Sequence, residues 1–149
     1  MKNEIEEINQ ESYLIKRLQD QINWYEKKSM YNHKWYNRLQ VIAIMASASI
    51  PFISGYIMND LMILKIAVGL LGLIVAVITA ILWLYKFQEN WIQYRTTCES
   101  LKHEKFLFLT KSAPYDQDKA FNLLVGRVES LISKENTAWN NYMKKEKDA

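Results

Sequence analysis

Two long runs of uncharged, mostly apolar residues constrain the fold of this chain more than any other feature of the sequence. Residues 39–58 and residues 66–85 each form a run of twenty residues without a charged side chain. A helix of about 20 residues is about 30 Å long, which matches the hydrocarbon core of a bilayer. A chain of 149 residues is too short to cover two helices that are apolar on all sides. We therefore expect two transmembrane helices rather than two buried helices of a soluble domain.

The segment between these runs, residues 59–65, is short and predicts a tight helical hairpin, with Asp60 placed to cap the second span. Basic residues flank the outer ends of the spans, whereas the connecting segment contains only Lys65. Because Lys and Arg accumulate on the cytoplasmic side, we expect a multi-pass protein of the inner (plasma) membrane with both termini in the cytoplasm. The flanking basic residues are Lys27, Lys28, Lys34 and Arg38 before the first span, and Lys86, Arg95, Lys102 and Lys105 after the second.

Apolar residues spaced three, four or seven apart continue on both sides of the spans and predict cytoplasmic helices. An N-terminal helix over residues 1–38 is expected to run into the first span, because no Pro or Gly precedes Pro51. The second span is expected to continue inward as a helix over residues 86–111. The spaced residues are Ile8, Ile15, Leu18, Ile22, Tyr25 and Tyr36 on the first helix, with the seam interrupted by Ser29 and Asn32, and Phe87, Trp91, Tyr94, Cys98, Leu101 and Phe108 on the second.

A loop over residues 112–117 is expected to end that extension, because Pro114 disfavours helix at the preceding residue. A last, strongly amphipathic helix over residues 118–145, capped by Asp116 or Asp118, is expected to fold back on the others. The predicted fold class is thus an all-α membrane protein, a two-transmembrane helical hairpin whose helices extend into a cytoplasmic helical bundle. The apolar side of the last helix comprises Phe121, Leu124, Val125, Val128, Leu131, Ile132, Trp139 and Tyr142.

Small residues along both spans predict close packing of helices, within the chain and between copies of it. On the second span they recur every three or four residues, so they share one helical face. A second interpretation is a narrow pore lined by the hydroxyl-bearing residues, and it requires several copies because two helices cannot enclose a water path. The residues for packing or pore lining are Ser47, Pro51 and Ser54 on the first span, and Gly69, Gly72, Ala76, Thr79 and Ala80 on the second.

Three residues after the second span, Glu89, Trp91 and Arg95, are candidates for a juxtamembrane latch. Glu89 and Arg95 could pair with charged residues of the first helix, either as a structural ion-pair network or as a gating latch. Trp91 belongs to a predicted aromatic belt at the inner interface, together with Trp35, Tyr36, Trp83 and Tyr85.

The sequence contains no pattern typical of an enzyme or of a metal or cofactor site. His33 and His103 are far apart in sequence, and no CxxC, HExxH or glycine-rich phosphate loop is present. The net charge of +3 is small and dispersed, which argues against a nucleic-acid partner. We therefore predict no enzymatic activity and no cofactor, with the lipid bilayer and further copies of the chain as partners.

Residues 87–95, FQENWIQYR, residues 99–110, ESLKHEKFLFLT, and the pair Pro114 and Tyr115 resemble a bacterial two-transmembrane family of unknown function. This family is grouped with the SLATT domains, the SMODS- and SLOG-associating two-transmembrane effector domains. The resemblance extends to residues 17–29 and 127–139. It implies an oligomeric membrane effector that forms pores or perturbs membranes in bacterial defence systems that signal through nucleotides. We expect any such nucleotide signal to be sensed by a separate soluble partner or by the cytoplasmic bundle.

Two functional hypotheses follow. The first is an oligomeric pore-forming or membrane-perturbing effector or channel in bacterial stress or defence, in which the bundle controls the packing of the helices that contain Pro51. The second is a membrane-anchored scaffold or adaptor that docks a soluble partner through its cytoplasmic bundle. The oligomeric state distinguishes them, because a pore requires an assembly and a tether does not.

Overall fold

The computed structural model describes residues 12–55, 62–117 and 119–147. Every regular element in these ranges is helical, which confirms the predicted all-α class. The start of the predicted N-terminal helix, the end of the first span with Asp60, and the capping residue Asp118 lie outside the described residues. The elements are a π-helical segment Tyr13–Leu18, then α1 Gln19–Gly55, α2 Met62–Tyr85, α3 Phe87–Leu109 and α4 Ala120–Lys147.

Two of the described helical stretches, Lys16–Gly55 and Met62–Leu109, are long and apolar enough to cross a membrane. Contacts divide the chain into two compact units. We call Ser29–Ile92 the apolar unit, and we call the residues up to Lys28 together with those from Gln93 onward the bundle unit.

In the apolar unit, α1 is one helix through the described part of the first predicted span, up to Gly55, with Pro51 inside it. Proline has no backbone N–H, so a helix that contains it has one donor fewer. Separately, the hydroxyl groups of two serines before Pro51 donate to carbonyls of the preceding turn. Ser47 Oγ donates to the Ile44 carbonyl at 3.0 Å, and Ser49 Oγ donates to that of Met45 at 2.8 Å. These polar groups are therefore satisfied within their own helix.

One residue, Lys86, separates α2 from α3. Its φ of 46° lies in the left-handed region, and its N–H closes the end of α2 by donating to the Leu82 carbonyl at 3.1 Å. The Asn90 side-chain amide donates to the Tyr85 carbonyl at 3.0 Å, which satisfies an acceptor near the break. The expected inward extension of the second span therefore begins with a one-residue interruption.

In the bundle unit, the π-helical segment, the start of α1, α3 and α4 contribute to one apolar core. The spacing of apolar residues on the predicted helices accounts for this core, because the residues that share a face are the ones buried together. Its most buried members, each at most 2% exposed, are Leu18, Ile22 and Tyr25 near the start of the chain, Cys98 and Leu101 on α3, Tyr115 between α3 and α4, and Leu124 and Val128 on α4.

The connection between α3 and α4 is attached to the core through Tyr115, which is 2% exposed. Its hydroxyl donates to the Glu104 carboxylate of α3, and Arg127 of α4 donates to the other oxygen of that carboxylate at 3.3 Å. Burial, reinforced by the hydrogen bond to Glu104, raises the pKa of Tyr115 above its ordinary value. The predicted loop over residues 112–117 therefore lies within a connection that a tertiary contact holds in place.

Candidate functional site

The apolar unit exposes large apolar side chains along both of its helices. Met45 and Phe52 of α1 are 66% and 69% exposed, and Leu73 of α2 is 61% exposed. Only 6% of the most apolar window of each candidate span is buried. The core helix of a soluble protein buries most of its apolar residues, whereas no described part of this chain covers these. This apolar surface is the first component of the candidate site.

The small residues predicted on the second span lie on one face of α2, and most of them are open. Gly69, Ala76 and Ala80 are exposed, and Gly72 is half-buried. A Cβ atom added to Gly69 or Gly72 would meet no neighbouring atom within 4 Å. No described part of the chain therefore approaches this face closely, and it leaves room for another helix.

Ser47, Pro51 and Ser54 are spaced by four and three residues, so they share one face of α1, and all three are exposed. Thr79 of α2 is also exposed, and its hydroxyl donates to the Val75 carbonyl at 2.8 Å. The structure thus places the predicted residues in two sets, one on α1 and one on α2. It shows no hydrogen bond between the two sets among the described residues.

The three candidate latch residues do not share one environment. Trp91 packs against His33 of α1, with ring centroids 4.3 Å apart, and its carbonyl accepts a hydrogen bond of 3.5 Å from Ser29 Oγ. Glu89 is exposed in the same apolar unit. Arg95 belongs to the bundle unit and pairs at 3.0 Å with Glu99, one turn later on its own helix. The described ion pair of Arg95 is therefore local to α3 and does not reach the first helix.

A buried polar patch beside Trp91 was not recognised in the sequence. Ser29 and Asn32, interpreted as interruptions of an apolar seam, are only 4% and 8% exposed. They continue the spacing of Ile22 and Tyr25, and this spacing was the available indication of burial. His33 Nδ1 is also buried and has no hydrogen-bond partner among the described residues. The aromatic ring of Trp91 thus covers a polar stretch of α1.

An ion pair between α1 and α3 was also missed. Lys102 Nζ lies 2.9 Å from Glu26 Oε1 and 3.7 Å from Glu99 Oε1. The hydrogen bond between Lys102 and Glu26 lowers the pKa of the carboxyl and raises that of the ammonium group. Close by, burial raises the pKa of the Cys98 thiol, whose side chain is 0% exposed. A buried thiol with a raised pKa is a structural rather than a reactive group.

A second cluster of hydrogen bonds attaches the π-helical segment to α4. Arg17 donates to both oxygens of Glu129, through Nε at 3.2 Å and Nη2 at 3.1 Å, and the Tyr13 hydroxyl donates to Oε1 at 3.2 Å. The hydrogen bond from Arg17 lowers the pKa of Glu129 below its ordinary value of 4.5. Burial, with the nearby Glu129 carboxylate, raises the pKa of Tyr13 to about 12.

This cluster predicts a small loss of bundle stability in acid. Because the pKa of Glu129 is lower in the folded state, its contribution is present above pH 4.5 and is lost as the pH falls through the folded pKa. Arg17 and Glu129 are 49% and 41% exposed, so solvent screening limits the contribution to about 0.5 kcal/mol. Glu129→Gln should lower the unfolding temperature at neutral pH and leave it unchanged in acid, as followed by circular dichroism.

Glu89→Gln is the matched control, because Glu89 is exposed and has no ion pair among the described residues. An equal effect of the two substitutions at neutral pH, or an effect of Glu129→Gln that persists in acid, would contradict this assignment.

The described residues contain no group of three or more His, Cys, Asp or Glu side chains that could hold a metal ion. Two open grooves of about 430 and 510 Å³ lie on the bundle unit and share Glu104 and Leu131. Charges of both signs line each groove, Arg95 and Glu99 in one, and Arg127, Lys134 and the shared Glu104 in the other. Their shallow shape and mixed charge do not indicate one class of small ligand.

Comparison with known proteins identifies the family to which this chain belongs. Residues 20–122, well over half of the chain, match the family model described as Protein of unknown function (DUF4231). The matched region contains nearly all of α1, all of α2 and α3, and the first residues of α4. No curated protein and no solved structure matches the chain.

Proposed function

We propose that this chain, which belongs to the DUF4231 family of proteins of unknown function, is an integral membrane protein that crosses the bilayer twice. The two crossing segments are α1 from about Leu39 onward and α2. The observation that carries this proposal is the exposed apolar surface of both helices, with only 6% of each apolar window buried. Transfer of this surface from water to hydrocarbon is favourable by about 25 cal/mol per Å² of apolar area.

Two further observations support insertion. The hydroxyl groups of Ser47, Ser49 and Thr79 donate to carbonyls of their own helices, so their insertion leaves no unpaired donor. Basic residues lie at one end of the apolar segments, Lys34 and Arg38 before the first and Lys86 after the second. By the distribution of Lys and Arg, we assign this end and both termini to the cytoplasm.

We further propose that several copies assemble in the membrane as a pore-forming or membrane-perturbing effector. The open face of Gly69, Gly72, Ala76 and Ala80 supports this step, because small residues allow the backbones of neighbouring helices to approach. Two helices cannot enclose a water path, so conduction needs an assembly. In such an assembly Ser47, Ser54 and Thr79 are the candidates to face the path.

In this proposal the bundle unit controls the packing of the spans. α1 is one helix that contains residues of both units, so a change at its start can reach the segment around Pro51. A ligand or partner that binds one packing better than the other would shift the population toward it. The resemblance to the SLATT domains suggests that this activating signal is a nucleotide or a nucleotide-responsive partner.

Reconstitution in liposomes tests the assembly, and Gly69→Leu is the most informative variant. Because a Cβ at Gly69 meets nothing within 4 Å, leucine should not disturb the single chain. At a contact between copies it should cost about 1–3 kcal/mol per contact, or roughly thirty-fold in association at the middle of that range. We expect ion or dye flux and a multi-copy mass for the wild type, and a matching loss of both in Gly69→Leu.

Gly126→Leu on α4 is the matched control, because its site is equally open but lies in the bundle unit. A monomeric mass with no flux under any activating condition would contradict the assembly. Recovery of that monomer with one stoichiometric soluble partner bound through α4 would instead favour the membrane-anchored scaffold.

A further inference from the structure

One exposed face of α1 alternates aromatic and basic residues directly before the first apolar run. Tyr31, Lys34, Trp35 and Arg38 follow a spacing of three, one and three residues, which places them on one side of the helix. All four are exposed, Tyr31 by 58% and Trp35 by 41%. The rings of Tyr31 and Trp35 lie next to each other, with centroids 6.3 Å apart. We call these four residues the basic aromatic face.

Carboxylates in the described part of the apolar unit do not balance the positive charge of this face. Among the described residues of the apolar unit, Glu89 is the single acidic residue, against four Lys and Arg. Within the described part of the chain, Lys34 and Arg38 form no ion pair. Two cations thus lie side by side on the helix with their charges available to an anion.

The same side of α1 continues without a break into the exposed apolar surface. The next residues on it are Val41, Ile42 and Met45, which are 53%, 49% and 66% exposed. Along this one face of α1, basic and aromatic side chains are therefore followed by apolar side chains. This order matches the headgroup and acyl chains of one lipid molecule.

We propose that the basic aromatic face binds the headgroups of anionic phospholipids, an inference that rests on the proposed membrane insertion. Arg38 adjoins the apolar run, and Lys34 lies about 6 Å further along the axis at 1.5 Å per residue. The headgroup layer on each side of the hydrocarbon is of about this depth. Phosphate oxygens accept charge-assisted hydrogen bonds from guanidinium and ammonium groups, and Trp and Tyr rings favour this layer.

An acidic protein segment or a soluble phosphate compound offers part of the same chemistry. Neither accounts for the apolar continuation through Val41, Ile42 and Met45, which an acyl chain would cover. The continuity of the two surfaces therefore favours a lipid.

The test compares the affinity of the full-length protein for phosphatidylglycerol and for phosphatidylcholine, measured by native mass spectrometry from detergent. We expect the wild type to prefer phosphatidylglycerol. Each Lys or Arg near an anionic surface contributes about 1 kcal/mol, so Lys34→Gln with Arg38→Gln should weaken phosphatidylglycerol binding roughly thirty-fold. The matched control, Lys16→Gln with Lys119→Gln, removes the same charge from two exposed positions of the bundle unit and should retain the preference.

Flotation of the same proteins with vesicles of phosphatidylcholine alone separates this inference from the proposed function. Failure of the wild type to insert there would contradict the membrane proposal. Normal insertion with no headgroup preference, or with a preference that Lys34→Gln and Arg38→Gln leave unchanged, would contradict the lipid site alone. Equally tight binding of glycerol phosphate would also overturn it, as would an acidic polypeptide that copurifies with the wild type and is lost from the double variant.

Discussion

Replacement of both Leu73 and Val77 by lysine is expected to abolish stable membrane association of the protein. The two residues lie one turn apart in the middle of α2, and they are 61% and 49% exposed. Each lysine at the centre of a transmembrane helix costs about 2.5–3.5 kcal/mol, so the pair costs about 5–7 kcal/mol. The variant should leave the membrane fraction in alkaline carbonate, where the wild type should remain.

The control for this experiment adds the same two charges elsewhere. Asn122→Lys with Ser130→Lys places them on exposed positions of α4 and should leave membrane association unchanged. Full retention of the Leu73→Lys, Val77→Lys protein in the membrane fraction would show that α2 does not contact hydrocarbon at these positions.

Truncation of Leu124 to alanine is expected to destabilise the bundle unit strongly. Leu124 is 0% exposed and belongs to the core that α4 shares with α1 and α3. Loss of a buried leucine side chain costs about 2–5 kcal/mol, because the cavity that it leaves closes only in part. Thermal unfolding in detergent, followed by circular dichroism, should show the unfolding temperature lowered by about 2–4 °C for each kcal/mol.

Leu123 provides the matched control, since it precedes Leu124 on the same helix and is 39% exposed. Leu123→Ala should lower the unfolding temperature much less. Similar effects of the two substitutions would mean that α4 does not pack on the core through Leu124.

The fold was largely predictable because segregation of charge is a strong constraint. The absence of charged residues over two runs of twenty indicated the two long apolar helices, and the absence of Pro and Gly before Pro51 indicated an unbroken α1. The break at Lys86 was not predictable, because a left-handed conformation is typical of glycine and lysine gives no sequence indication of it.

Burial of polar residues was the second limit of the sequence. Because Ser29 and Asn32 are polar, they were interpreted as interruptions of the apolar seam. Their positions continue the spacing of that seam, and both side chains are buried. The sequence indicated charged residues of the first helix as partners of Arg95, whereas its described ion pair is with Glu99, one turn later on α3. Such pairings depend on the three-dimensional arrangement of side chains and not on their spacing along the chain.

The candidate site was predictable as a set of positions but not as a set of contacts. Spacing alone placed Gly69, Gly72, Ala76 and Ala80 on one face. The three-dimensional structure adds that this face is open, with room for an added Cβ at both glycines.

The most direct measurement of the central claim is the sidedness of three single cysteines in membrane vesicles. Cys98→Ala removes the natural thiol, and Lys16→Cys, Lys65→Cys and Ser130→Cys each introduce one at an exposed position. A membrane-impermeant maleimide should label Lys65→Cys from the outer face, and Lys16→Cys and Ser130→Cys only from the cytoplasmic face. Labelling of all three from one face, or of Lys16→Cys and Ser130→Cys from opposite faces, would contradict a protein that crosses the bilayer twice.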